Sequence, residues 1–327
     1  MNRRQFISLL GTSAATWSFD VRAQQSLKKT WRVGVVHTRD DQTDRRNGAL
    51  EETLAKLGYV QGREVEISVR TVVPTPKNFE DAITGMLPYV DILVVWSTLG
   101  AVAARNVRTM VPTVFLSVGA PVNIGIVQSL ARPGGNMTGV TFEAATETYG
   151  KRLQILKEIA PGLSRVAILQ GAGDANVPYA MSALEQAAPA LGVKLLPMNI
   201  KSVDDLEATF LGMRREQAEA LIVVAGALTF TGTKQIANLA LQHKLPSCHA
   251  FKEAVAAGGL VSLGPDSIAM ARQGATYIDR IIQGTEPADL PVEQPARYEL
   301  HVNLSAAKAL GITVPPSLLV RADEVIE

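Results

Sequence analysis

The sequence predicts an α/β protein built on two doubly wound parallel sheets. Three observations predict it. Short runs that are apolar throughout, such as Ile92-Leu93-Val94-Val95, suit strands covered on both faces. Helical segments between them end at glycine or shortly before proline. The alternation then starts again after a long Gly/Pro-rich connection, 119–139, which gives a second set.

In order, the first set has strands at 33–36, 65–69, 91–95 and 113–116. The helix at 44–57 carries Ala49, Leu50, Leu54 and Leu57 on one face and closes at Gly58. Helices follow at 79–87 and from Ala101. In the second set, strands fall at 166–169, 221–224 and 260–263. Its helices are 148–159, halted by Pro161; 178–191, closed by Gly192; 233–243, ahead of Pro246; and 268–283, closed by Gly284. Gly58 and Gly192 occupy matching places, each ending a helix that feeds an edge strand.

The first residues are an address. Arg3-Arg4 precede an apolar run at 6–17, and Val21-Arg22-Ala23 offers small residues where a signal peptidase reads. Residues 1–23 therefore read as a twin-arginine export signal. The run is too short, and too rich in Ser, Thr and Gly, to span a bilayer, which takes about 20 apolar residues. No cysteine follows it for a lipid anchor. The expectation is a soluble periplasmic protein, away from cytoplasmic NAD and ATP.

Composition narrows the function. Lys and Arg number 32 against 31 Asp and Glu, with no basic block, which argues against a nucleic-acid partner. Cys248 is the only cysteine, so no internal disulfide forms, and it reads as a small buried residue. His37, His243, His249 and His301 make no metal-ligand spacing, so no metal is expected. No Gly-x-Ser-x-Gly elbow or phosphate loop appears. Gly171-Ala172-Gly173 is a partial glycine fingerprint, but Asn176 stands where the third glycine belongs, so no cofactor is expected. Asp204 and Asp205 are adjacent acids at a helix start, where the dipole favours them structurally.

Ligands of open α/β sheets sit beyond the carboxyl ends of strands, so those loops give the candidate cleft. They hold His37 and Thr38, followed by Arg39 and Asp40; Trp96, Ser97 and Thr98; and Ser117 and Gly119. From the second set come Gly171, Asp174, Gly226 and Phe251. Ser97 and Thr98 stand at a helix start, where hydroxyls and free N–H groups hold a carboxylate or simply cap the helix. Trp96 and Phe251 offer faces for a planar ligand, or fill a core. His37 with Ser97 is the single base–nucleophile pair an enzyme reading offers.

Three blocks carry a family likeness. Residues 126–139, Ile-Val-Gln-Ser-Leu-Ala-Arg-Pro-Gly-Gly-Asn-Met-Thr-Gly, resemble a signature of ABC-transporter substrate-binding proteins. So do 287–295, Pro-Ala-Asp-Leu-Pro-Val-Glu-Gln-Pro, and the tail 303–319 with Asn303-Leu304-Ser305-Ala306-Ala307 and Pro315-Pro316-Ser317. The subgroup resembled is the tryptophan/tyrosine type. The resemblance implies a type I periplasmic-binding architecture: two Rossmann-like lobes, a hinge of three crossings, and a ligand clamped by closure. It places lobe 1 at 30–139 plus 264–294 and lobe 2 at 140–263 plus 295–327. It implies a monomer that captures a small solute for ABC permease subunits in the inner membrane, with aromatic or amino-acid-like carboxylates among the candidates. Hydroxyls that bind ligand carboxylates in such relatives carry over onto Ser97, Thr98 and Ser117. Two positions depart from the pattern: Ala120-Pro121-Val122 replaces Asp-Pro-Val, and Leu263 replaces an aromatic. A solute-sensing receptor module and an exported hydrolase-like enzyme remain as alternatives.

Overall fold

The computed structural model describes residues 29–40, 42–143 and 147–327. The expected signal segment lies outside the described residues.

The first half runs β1 (Trp31–Thr38), α1 (Thr43–Lys56), β2 (Val65–Val72), α2 (Pro76–Met86), β3 (Ile92–Trp96), α3 (Ser97–Asn106), β4 (Thr113–Gly119) and β5 (Met137–Glu143). Its sheet has the order β2-β1-β3-β4-β5, parallel throughout. The chain continues with α4 (Glu147–Ile159), β6 (Arg165–Gly171), α5 (Val177–Leu191), β7 (Lys194–Ile200), α6 (Leu206–Arg215) and β8 (Ala220–Val223). Next come α7 (Ala227–Thr231), α8 (Thr233–Gln242), β9 (Ser247–His249), α9 (Lys252–Ala256), β10 (Val261–Gly264) and α10 (Ser267–Ile282). The tail is β11 (Glu299–Asn303), α11 (Leu304–Leu310), α12 (Pro316–Arg321) and β12 (Glu324–Ile326). The second sheet has the order β12-β11-β10-β9-β8-β6-β7.

Apolar strands lie between helical layers because both faces need cover. On one face of the first sheet, Ala49, Leu50 and Leu54 of α1 pack with Met270, Ala275 and Ile278 of α10. On the other, Phe79 and Ile83 of α2 pack with Ala101 and Ala104 of α3. The second sheet is covered by Leu153, Leu156 and Leu184 of α4 and α5 on one face. Phe210, Met213 and Ile236 of α6 and α8 cover the other. Each such large side chain contributes about 1.5–3 kcal/mol by leaving water. Leu57, expected on the core face of the first helix, is instead its cap residue and is 41% exposed. Gly192 closes α5 in the left-handed conformation at φ 62°, which a Cβ would disfavour. Asp205 accepts hydrogen bonds from the Lys201 and Ser202 amides, closing a capping box with Ser202.

Because α10 follows β10 in sequence yet packs on α1, the chain passes between the lobes three times. β5 keeps it in the first sheet as far as Glu143. It returns after Gly264 and leaves again beyond Glu293, which exchanges backbone hydrogen bonds of 3.0 Å with Gly139 and Thr141. The last passage explains a departure from the expected parallel order. β11 enters from the cleft end, Glu299 opposite Gly264, so it runs antiparallel to β10.

Candidate functional site

The carboxyl ends of both sheets face one small cavity between the lobes. His37 and Thr38 end β1, Trp96 ends β3, and Ser97 and Thr98 open α3, which begins four residues before the expected Ala101. Ser117 comes from β4, while Gly226 and Phe251 come from the second lobe.

The backbone there is strained in a patterned way. Ser97 (φ 73°), Ser117 (φ 59°) and Ala120 (φ 45°) are left-handed although none is glycine. The pairing of β4 with β5 slips between Leu116 and Val118, a bulge that re-aims Ser117 toward the cavity. Two hydroxyls fasten these turns. Ser97 Oγ accepts from the Gly100 amide at 3.3 Å, and Thr98 Oγ1 accepts from the Gly119 amide at 3.0 Å. Both keep an O–H to donate.

His37 is buried, which holds its imidazole below the ordinary value. Its Nδ1 lies 2.8 Å from the Thr38 carbonyl and its Nε2 lies 3.4 Å from Asn47 Nδ2. A neutral ring with the proton on Nδ1 satisfies both. Neither nitrogen is bonded to Ser97, so the pair that an enzyme reading needs does not form in this structure.

Three sequence candidates stand off the cavity wall. Gly119 lies behind it: a Cβ there would sit 2.9 Å from the Phe142 ring and 3.1 Å from Asn176 Nδ2. Gly171 ends β6 near Leu228, whose Cβ lies 3.6 Å from where a Cβ on that glycine would be. Asp174 lies against Gly226, with its Oδ2 2.5 Å from where a Cβ on that glycine would be. Part of the residue reaches solvent, but the carboxyl is enclosed, and burial pushes it up to about 6.

Residues 33–326 match the model of a family described as ABC transporter substrate binding protein. The chain belongs to this family. It is therefore the extracytoplasmic substrate-binding component of an ABC transporter, and takes a small-molecule ligand. It is 21% identical over 272 residues to a tyrosine-binding protein of Clostridioides difficile (strain R20291), covering 82% of this chain and 77% of that one. A conserved domain protein from Vibrio cholerae O1 biovar El Tor superposes with a TM-score of 0.84 at 27% identity. That likeness spans 91% of this chain and 100% of the other. An ABC domain from Streptococcus pneumonia in complex with L-Trp gives 0.84 at 21% identity over the same shares. The architecture is that of a type I periplasmic-binding protein, as the three motif blocks implied.

Within this substrate-binding fold, the large cavity residues that the sequence reading missed are Phe142, Phe230 and Arg46. Phe142 lies on β5, a strand that begins in the last three residues of what read as a connection and runs past it; its Thr138-Gly139-Val140-Thr141-Phe142 run was the available signal. Phe230 sits on the short α7. Arg46 is on α1, three residues before Ala49 on the buried stripe, and only 4% exposed. An arginine on an apolar stripe is itself the signal. Its guanidinium carbon lies 5.0 Å from the Trp96 and Phe230 ring centroids, and Nη2 donates to Asp40. Phe230 meets Phe251 edge-on at 5.2 Å, and Phe251 meets Phe142 at 5.8 Å. Both lobes thus contribute to one aromatic cage. It shares Asp40 and Phe230 with a wider polar vestibule lined by Arg39, Lys234 and Glu253.

Cys248 and His249 take no part in the cage chemistry. The thiol is buried and pushed up to about 12, which keeps it protonated and unreactive.

Proposed function

We propose that the protein captures a small planar aromatic carboxylate in the periplasm and delivers it, as a monomer and without chemical change, to permease subunits in the inner membrane. The observation that carries this reading is the cage. Trp96, Phe142, Phe230 and Phe251 line one cavity with aromatic faces, beside the hydroxyls of Ser97, Thr98 and Ser117. The start of α3 adds free N–H groups and the positive end of its dipole. Relatives named for tyrosine and holding L-Trp point toward the same chemistry. Residues 1–23 act as the twin-arginine signal that exports the chain.

Capture works by closure. The closed arrangement alone brings both halves of the cage onto the ligand, so ligand populates it. Two contacts mark closure: Tyr179 Oη on α5 donates to the Asn123 carbonyl at 2.8 Å, and Asn176 approaches Gly119.

A thermal-unfolding screen of aromatic acids, aromatic amino acids, aliphatic amino acids and sugars tests the reading. An aromatic carboxylate at 100 times its dissociation constant is expected to add about 2.7 kcal/mol of stability. Stabilisation by sugars or aliphatic amino acids, with none by an aromatic acid, would contradict it. Export should stop when Arg3 and Arg4 are both changed to lysine.

A further inference from the structure

We propose that Arg46 receives the ligand's carboxylate, so that the cleft selects aromatic acids lacking an α-amino group over the matching amino acids. This rests on the capture reading above and names the chemistry of that same site.

Arg46 reaches the cavity from α1 with 5% of its side chain exposed. A guanidinium carries five N–H donors. Among the described residues, its one hydrogen bond runs from Nη2 to Asp40. Its guanidinium carbon lies 5.0 Å from the ring centroids of Trp96 and Phe230, one from each lobe, at the cavity wall. With one hydrogen bond made, the guanidinium keeps donors for a ligand, and a carboxylate would supply two oxygens in matching geometry.

Asp40 orients this arginine and is already paired with its charge, which reduces its pull on an ammonium group. Its Oδ1 accepts from the Gln42 amide at 2.8 Å, its Oδ2 accepts from Arg46, and its own amide donates to Thr43 Oγ1 at 2.9 Å. Asp40 is the one carboxylate among the described lining residues. Asp174 lies against Gly226 but is not part of the lining. An α-ammonium group entering the cage would lose its water, meet no unpaired carboxylate and sit near a cation. A site whose polar groups match one ligand rejects an analogue that leaves a charge unpaired.

Calorimetric titration of the full exported chain with matched pairs tests this: phenylpropionate against phenylalanine, and indolepropionate against tryptophan. The des-amino acids are expected to bind at least about tenfold more tightly. Arg46→Gln should weaken their binding by at least about tenfold, and Arg46→Lys should fall between, because it keeps the charge and loses the fork. Arg45→Gln, on the exposed side of α1, should change nothing. Equal or tighter binding of the amino acids, or unchanged affinity in a folded Arg46→Gln, overturns the proposal. Should Arg46→Gln fail to fold, the matched pairs on the unaltered protein decide alone. If neither member of any pair binds, the capture reading falls, and this proposal with it.

Discussion

Arg152 Nη1 lies 3.5 Å from Glu143 Oε2, and Arg152 Nε donates to the Leu263 carbonyl at 2.9 Å. Both side chains are buried. Glu143 ends the first sheet, Arg152 sits on the first helix of the second lobe, and Leu263 precedes the second passage between them. One guanidinium therefore fastens two of the three crossings. It also stacks 4.5 Å from the centroid of the Tyr149 ring, whose hydroxyl accepts from the Ala225 amide of the cavity wall at 3.2 Å. Removing one partner strands the other charge in the interior, which costs about 3–5 kcal/mol. Arg152→Met is expected to lose that much in urea unfolding, and Glu143→Leu with Arg152→Met together should lose less than either alone. A single variant within about 1 kcal/mol of the parent would show that the pair does not hold the hinge.

Ser117 separates stability from binding. Its left-handed backbone costs about 1–2 kcal/mol that glycine would not bear. Ser117→Gly is expected to raise the unfolding free energy, or leave it unchanged, while weakening ligand binding through the lost hydroxyl. A variant that loses stability and keeps full affinity would refute the strained-site account.

Gly119 sets how closely the lobes approach. A methyl group there meets Phe142 and Asn176 together. Gly119→Val should lower stability by crowding Phe142 within the first lobe and, where it folds, resist closure by crowding Asn176, so that small-angle scattering with saturating ligand gives a larger radius of gyration than the parent. An identical liganded radius would show that this contact does not limit closure.

His249 gives the protein a defined acid sensitivity. Burial holds the ring down to about 4, against 6.5 when exposed, with Nε2 3.0 Å from Ser247 Oγ. The folded state disfavours the proton that the unfolded chain accepts. Its contribution is complete above pH 6.5 and drains away as pH falls toward 4, by about 3 kcal/mol in all. The fall in stability between pH 7 and pH 4.5 is expected to be about 2–3 kcal/mol smaller in His249→Gln. Parallel pH profiles would contradict this.

The sequence made the buried strands legible because runs such as Ile92-Leu93-Val94-Val95 have one physical use. β5, β9 and β12 escaped because short strands with Thr, Ser and Glu carry little periodic signal, and their pairing comes from neighbours distant in sequence. The antiparallel β11 follows from where α10 docks, which no local pattern encodes. At the site, small polar residues after β1, β3 and β4 were readable because strand ends position loops. Arg46 left only its place on the apolar stripe of α1 as a trace, since its role depends on Trp96 and Phe230 arriving from two other elements. Asp174 read as a wall residue, and the fold of its loop set its carboxyl against Gly226, outside the lining.

Titration calorimetry with the aromatic acid that most stabilises the protein tests the central claim most directly. Capture in the cage predicts one ligand per chain at micromolar affinity or better, weakened at least about tenfold by Trp96→Ala and by Phe230→Ala, one from each lobe. Affinity unchanged in both folded variants would place the ligand elsewhere and contradict the account.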